Sequence, residues 1–228
     1  MNARRAVLLA GATGLVGGRV LARWLAAADG PVVIAPVRRA LAVSHPRLQP
    51  LVGHWDGDAV AAALAASGAT LEAYACCLGT TIRQAGSREA FLAVDRDLVL
   101  ALGAIAHDLG ARQALLVSSV GASAQSGNFY LRVKGEAERG LAASGFERVD
   151  CLRPGLLLGE RAERRFAEGL GQRLAPLANP LLRGPLRRYR AIRADTVAGA
   201  LVALAGRDEP GRFVHEYKAL AALAAGET

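Results

Sequence analysis

The chain is 228 residues long, 52% hydrophobic and 21% charged, with a formal net charge of +8. Such a composition buries a core, so a disordered chain is excluded, and no apolar run reaches the roughly 18–20 residues of a membrane-spanning helix. The basic excess leaves nucleic acid or an acidic surface to be weighed, although only Lys134 and Lys218 are lysine, an arginine bias that a GC-rich genome produces without any ligand.

Residues 1–10 (MNARRAVLLA) carry two arginines and then an apolar run, the outline of an export signal, but Gly11 ends the run after five residues. An export signal needs a longer one, so residues 6–10 are predicted to be a strand entering a glycine loop. Cys76, Cys77 and Cys151 are an odd set without C-x-x-C spacing, so neither a disulfide framework nor a metal site is indicated. Cytoplasm is the expected compartment.

Gly11-Ala-Thr13-Gly14-Leu15-Val16-Gly17 follows that strand and opens a helical pattern near 15–28. Gly11 permits the tight turn, Gly14 lets backbone approach a pyrophosphate, and Gly17 allows close helix–sheet packing; the helix N-terminus adds free N–H donors. The spacing is G-x-x-G-x-x-G, and no Lys-Ser/Thr follows, which excludes a nucleoside triphosphatase loop. Its place after the first strand points to a dinucleotide. Trp24, in this helix, is expected to pack against the sheet.

The second strand, near 31–37, ends at Arg38-Arg39 with no acid nearby. An acid there would accept from the ribose hydroxyls of NAD, whereas guanidinium groups pair with a 2′-phosphate. NADP(H) is therefore the expected cofactor, with Arg38 or Arg39 as clamp and NAD(H) as the alternative. A strand near 48–53 and a helix near 57–67 follow, then a strand near 71–77 whose Cys76 and Cys77 read as small buried residues. A long helix near 87–109 is closed by Gly110. His45 and His107 have no partners at ligand spacing and read as surface or cap residues.

Ser118-Ser119 end a strand near 112–118, the carboxyl edge where α/β sheets place ligands. A short loop leads to Tyr130-Leu-Arg-Val-Lys134 in a helix near 128–143. Four residues apart, the phenol and the ammonium share a helix face, and the ammonium favours the phenolate. That is the tuning a general acid–base requires. Beyond a strand near 148–152 the βα rhythm loosens at about 155–160, Pro176, Pro180 and Pro185 interrupt any long helix, and Asp195 is expected to cap a last helix near 195–206. Six strands alternating with helices predict an α/β protein, a Rossmann-type doubly wound parallel sheet. Residues 1–228 read as one domain, with 1–158 the cofactor-binding core and 159–228 a small lobe on the substrate side.

GATGLVG at 11–17, CCLGTTIRQAGSREAFLAVDRD at 76–97, LLVSSVGASAQSGNFYLRVKGEAE at 115–138 and LRPGLLLGER at 152–161 together resemble the atypical branch of the short-chain dehydrogenase/reductase superfamily. Within it the chain resembles the Tat-interacting-protein-like NAD(P)-binding oxidoreductase homologues. The resemblance spans residues 6–165; the tail matches only through 192–198. It implies cofactor contacts at Gly11, Thr13, Gly14, Leu15, Val16 and Gly17, a 2′-phosphate contact at Arg38 or Arg39, and Leu78 and Gly79 along the ribose. It implies Ser119 (in preference to Ser118) as the substrate-orienting serine, Tyr130 as acid–base, Lys134 as its partner, and Pro154 and Gly155 closing over the nicotinamide. Two positions depart from the pattern. Asp95 stands where the superfamily has an asparagine supporting a proton relay, and the acid that contacts adenine falls near His54-Trp55-Asp56.

The function expected is hydride transfer between nicotinamide and a small carbonyl or alcohol. One alternative is a non-catalytic NADP(H) sensor or protein-interaction module, since fold alone does not fix function. A sugar-nucleotide epimerase or dehydratase ranks third, because the tail leaves little room for a sugar and a second nucleotide. Residues 160–193 hold nine arginines against three glutamates, +6 of the total. Stacking aromatics are scarce there, which disfavours single-stranded nucleic acid; a field drawing in the anionic cofactor or an acidic substrate fits better. A homo-oligomer or protein partner is left open.

Overall fold

The computed structural model describes residues 4–53, 55–159 and 182–227. The run RRAVLLA forms β1 (Arg4–Ala10), buried from Ala6 onward, and VVIAPV forms β2 (Val32–Val37), buried throughout. Continuous apolar strands of this kind need helices on both faces of a parallel sheet. β3 (Leu48–Val52), β4 (Ala69–Cys76), β5 (Gln113–Val117) and β6 (Arg148–Leu152) follow the expected bounds closely. With β9 (Gly211–His215) they make a seven-stranded parallel sheet in the order β3-β2-β1-β4-β5-β6-β9.

One face of the sheet carries α1 (Gly17–Ala26), α7 (Ala194–Leu204) and α8 (Tyr217–Ala225), with Trp24, Val197, Leu201 and Leu220 in the core. The other carries α2 (Gly57–Ser67), α5 (Leu98–Asp108) and α6 (Phe129–Ala143), with Val60, Leu102 and Leu141 packed on the strands. The fold is α/β and doubly wound, as the alternation of patterns predicts. Its switch point lies between β1 and β4, where successive crossovers leave in opposite directions and the strand ends part. That is where such sheets hold ligands.

Three expectations need correction. The helix near 87–109 contains α4 (Arg88–Leu92), a π-helical turn over Ala93–Asp97, and then α5; α3 (Ile82–Ala85) precedes it. Asp195 does not cap α7: Arg193 holds the N-cap position without a side-chain bond, and Asp195 lies in the first turn, bonded to Arg23 of α1 at 2.8 Å. Asp56 caps α2, one of its oxygens accepting from Ala59 N–H at 2.9 Å, and His54 lies outside the described residues. Strand β9 and helix α8 have no counterpart among the predicted elements. GRFVH is short, carries two basic side chains and lies half-exposed at the sheet edge, where neither alternation nor a continuous apolar run develops.

The C-terminal region adds a two-stranded parallel pair, β7 (Leu157–Leu158) with β8 (Ile192–Arg193), and a 3-10 turn over Gly184–Tyr189. Pro176, Pro180 and Arg161, Arg164, Arg165 and Arg173 lie outside the described residues. Arg47 closes α1 from a distance: its guanidinium donates to Leu25 O at 2.8 Å, Ala27 O at 2.6 Å and Gly30 O, satisfying carbonyls that the helix end leaves unpaired.

Candidate functional site

Two chain segments meet at the switch point. Gly11 leaves β1 with φ +82°, and a Cβ there would lie 2.6 Å from the carbonyl carbon of Cys77. Cys77 N–H donates to Ala10 O at 2.8 Å, which draws the end of β4 against the loop. Gly14 N–H donates to Gly11 O at 2.8 Å, closing the turn. A Cβ on Gly17 would collide with Gly11 O, so α1 starts directly above the strand end. Gly11 and Gly17 are required by backbone proximity. Gly14 is tight without being closed, since its Cβ would meet Gly11 O at 3.1 Å. Leu15 and Val16 belong to the turn, and the helix proper begins at Gly17 rather than at 15.

Beside this loop lies a cleft of about 480 Å³ lined by Thr13, Gly14, Gly18, Arg19 and residues 40–42. Arg38 and Arg39 stand exposed just past the end of β2, at the rim of the segment that walls this cleft. Arg19 is a lining cation that the motif reading passes over. It extends from the first turn of α1, and its guanidinium donates to Leu15 O at 2.6 Å. An arginine two residues after the third glycine is the signal that could have found it.

Leu78 and Gly79 follow β4 on the other side of the switch point, Leu78 half-buried and Gly79 exposed. Thr80 N–H donates to Asp95 Oδ2 at 3.0 Å. The other oxygen of Asp95 lies 2.7 Å from Lys134 Nζ, with the two side chains 0% and 4% exposed. A Cβ on Gly79 would stand 3.7 Å from that ammonium, which places the buried ion pair directly beneath this loop. Burial disfavours the Lys134 charge, but the Asp95 carboxylate and the Tyr130 phenol more than offset it, and the ammonium's pKa lies above the usual lysine range.

Tyr130 and Lys134 fall on one face of α6, whose N-terminus is capped by Asn128 accepting from Leu131 N–H at 3.2 Å. The Tyr130 ring packs at 5.8 Å from the ring of Phe91 on α4, which fixes the half-buried phenol laterally. Gly135 lets the loop returning from β5 press onto α6, since a Cβ would collide with the Ser123–Ala124 backbone. Ser123 N–H bonds Leu131 O at 3.1 Å in the same contact.

Ser118 and Ser119 end β5 differently. Ser118 is 5% exposed, and its Oγ has no hydrogen-bond partner among the described residues. Ser119 is half-buried, and its hydroxyl makes only a long contact to Val120 O at 3.4 Å. Val120 N–H bonds Pro154 O at 3.0 Å, tying the two strand ends together. Gly155 faces the C-terminal region: a Cβ there would lie 2.5 Å from Arg190 O. Cys76 is buried and Cys77 half-buried; both are free thiols, and burial pushes both pKa values up, so they are inert neutral groups here. Among the described residues, no helix is long and apolar enough to cross a membrane.

No protein-family model matches the chain. A protein named FMP52, mitochondrial, from Eremothecium gossypii is 35% identical over 211 residues, covering 90% of each chain. Protein HTATIP2 of Rattus norvegicus is 44% identical over 98 residues, covering 43% of this chain and 40% of its own. Among solved structures, an oxidoreductase of the short-chain dehydrogenase/reductase family from Burkholderia thailandensis superimposes with a TM-score of 0.64 at 21% identity, covering 99% of this chain and 94% of that one. The relatives' names overturn the cytoplasmic expectation, since several are mitochondrial FMP52 proteins. That expectation rested on the lack of an export-type apolar run, a criterion blind to mitochondrial addresses, which are amphipathic and arginine-rich.

Proposed function

Because the chain belongs to the family of the FMP52 proteins, we propose that it is an NADP(H)-binding oxidoreductase of the atypical short-chain dehydrogenase/reductase branch, acting on a small carbonyl or alcohol. The observation that carries the proposal is a conjunction at one sheet edge. A glycine cradle closed to any Cβ at Gly11 and Gly17 faces, across the switch point, a loop that overlies the buried Lys134.

In this reading the loop from Gly11 to Gly17 holds the dinucleotide's phosphates, with N–H groups of the first turn of α1 as donors. The cleft beside Thr13 takes the adenosine end, and Arg38 or Arg39, with Arg19 from the cleft wall, meets the 2′-phosphate. Leu78 and Gly79 lie along the ribose, and Pro154 and Gly155 border the nicotinamide. The bound nicotinamide supplies the hydride chemistry; the protein supplies position and electrostatics. Ser119 orients the substrate oxygen by its hydroxyl, and Tyr130 gives or takes that oxygen's proton. Lys134 steadies the phenol from one helical turn away. Residues 1–158 act as the cofactor-binding core and 159–228 as the lobe over the substrate.

The test is turnover of NADPH with quinones or aldehydes by the protein and by its Tyr130→Phe variant. The protein is expected to turn over, and the variant to lose about 100-fold or more in kcat while its Kd for NADPH stays unchanged. A second reading, a cofactor sensor without chemistry, draws on the ion pair that already neutralises Lys134. It stands instead if both proteins bind NADPH equally and neither turns over.

A further inference from the structure

The helical row Phe91, Asp95, Val99, Leu102, Ala106 faces the core, and each of its members is at most 2% exposed. Four are apolar and one is a carboxylate. A charge in such a stripe is costly unless paired, and Asp95 is paired on both oxygens, with Thr80 N–H at 3.0 Å and Lys134 Nζ at 2.7 Å. Stability alone does not account for the pair, because well-packed apolar side chains of similar volume serve a core as well or better. The carboxylate lies in the π-helical turn between α4 and α5, and single π turns often mark functional positions. It joins three elements that meet at the site: the loop after β4, the π turn and α6.

We propose that Asp95 is a positioning residue of the site, holding the Lys134 ammonium in place and balancing its charge, so that it limits how strongly that ammonium draws the proton from Tyr130. The proposal rests on the acid–base reading of Tyr130. From β4, the Cys76 thiol faces Lys134, and burial keeps it neutral. From α4, the Phe91 ring packs on the phenol. On the outer side of α6, Arg96 and Arg132 are engaged by Glu136, at 3.0 and 4.0 Å, and Arg96 also by Asp97 at 2.7 Å. Asp95 is therefore the carboxylate in direct contact with the ammonium. Its removal leaves a buried positive charge one helical turn from a phenol, and an opposite charge at that range lowers the phenol's pKa.

The experiment titrates the tyrosines of the cofactor-free protein by ultraviolet difference absorbance, with Tyr130→Phe subtracted to isolate Tyr130. In Asp95→Asn, which keeps an acceptor for Thr80 N–H, the Tyr130 midpoint is expected to fall by about one pH unit or more. An unchanged midpoint would overturn the proposal and leave Asp95 a packing group. If Asp95→Asn does not fold, Asp95→Asn with Lys134→Gln removes both buried charges together. The Tyr130 midpoint is then expected to match the unsubstituted protein, and a rise of about one unit or more would overturn the proposal, because Lys134 would then act on the phenol uncompensated. Since the titration needs no turnover, a failure of the oxidoreductase reading shows separately, as absence of NADPH turnover in every variant. Where turnover is present, the Tyr130 limb of the kcat/KM profile is expected to move to lower pH in Asp95→Asn. A profile that drops in height without moving counts against the proposal.

Discussion

Arg38 and Arg39 emerge one and two residues past the buried end of β2, exposed and without an ion-pair partner among the described residues. Their position could be read from sequence, because the end of the second strand is fixed by its apolar run. Arg19 is legible only as an arginine two residues after the third glycine; that it lines the cleft depends on the turn from Gly11 to Gly17 bringing the first helical turn beside residues 40–42. Charge-assisted hydrogen bonds contribute about 1.5–3 kcal/mol each. Replacing Arg38 and Arg39 together by alanine is therefore expected to weaken NADPH binding about tenfold or more and to leave NADH nearly unchanged, as measured by fluorescence titration. Equal losses for the two cofactors would remove the clamp assignment and leave Arg19 as the remaining cation.

At the scale of elements, edge strand β9 is joined to β6 by more than its ladder. Asp150 on β6 is fully buried, accepting from Arg148 at 2.7 and 2.9 Å and from Gln113 at 2.7 Å, with His215 of β9 at 2.8 Å. Gln113 in turn bonds Leu204 O and Gly206 N–H at the end of α7, so one carboxylate ties strand, edge and helix. Burial pushes the Asp150 carboxyl up, but the bonds from His215, Arg148 and Gln113 outweigh it and hold it below its ordinary value. A carboxyl depressed on folding stabilises the protein above its unfolded pKa, about 3.9, and that contribution is lost as pH falls through the folded value. Unfolding followed by circular dichroism is therefore expected to show an acid limb below about pH 4. In Asp150→Asn that limb should flatten and stability at neutral pH should fall. An acid limb unchanged in the variant would assign it to other carboxylates.

Across the whole molecule the +8 charge is unevenly distributed. Arg183, Arg187, Arg188, Arg190 and Arg193 lie in the described part of the arginine-rich region, and Arg187 and Arg188 are exposed on the 3-10 turn. Exposed charges act at range through a field that salt screens over about 8–10 Å. Changing Arg187 and Arg188 to alanine is expected to slow NADPH association and to flatten its dependence on ionic strength in stopped-flow measurements, with little change in dissociation. If association and its salt dependence stay as they were, the cluster serves something other than cofactor capture.

By itself, the sequence determined the βα alternation, all six of the expected strands within two residues of their observed bounds, the glycine cradle and the spacing of Tyr130 and Lys134. These are local matters: strand and helix periods, turn chemistry, and which residues share a helical face. Asp95 shows the limit. Its place in an apolar stripe is visible in the letters, but its partner lies 39 residues away on α6, and only packing of the two helices beneath Gly79 brings the charges together. Strand β9 is the same case at larger scale. Nothing within GRFVH specifies a strand, and it becomes one because β6 offers an unpaired edge that the Asp150 network holds closed. Where a residue's conformation follows from its neighbours in the chain, sequence is sufficient. Buried charges and edge strands acquire their structure from distant partners, and the tertiary fold alone supplies those.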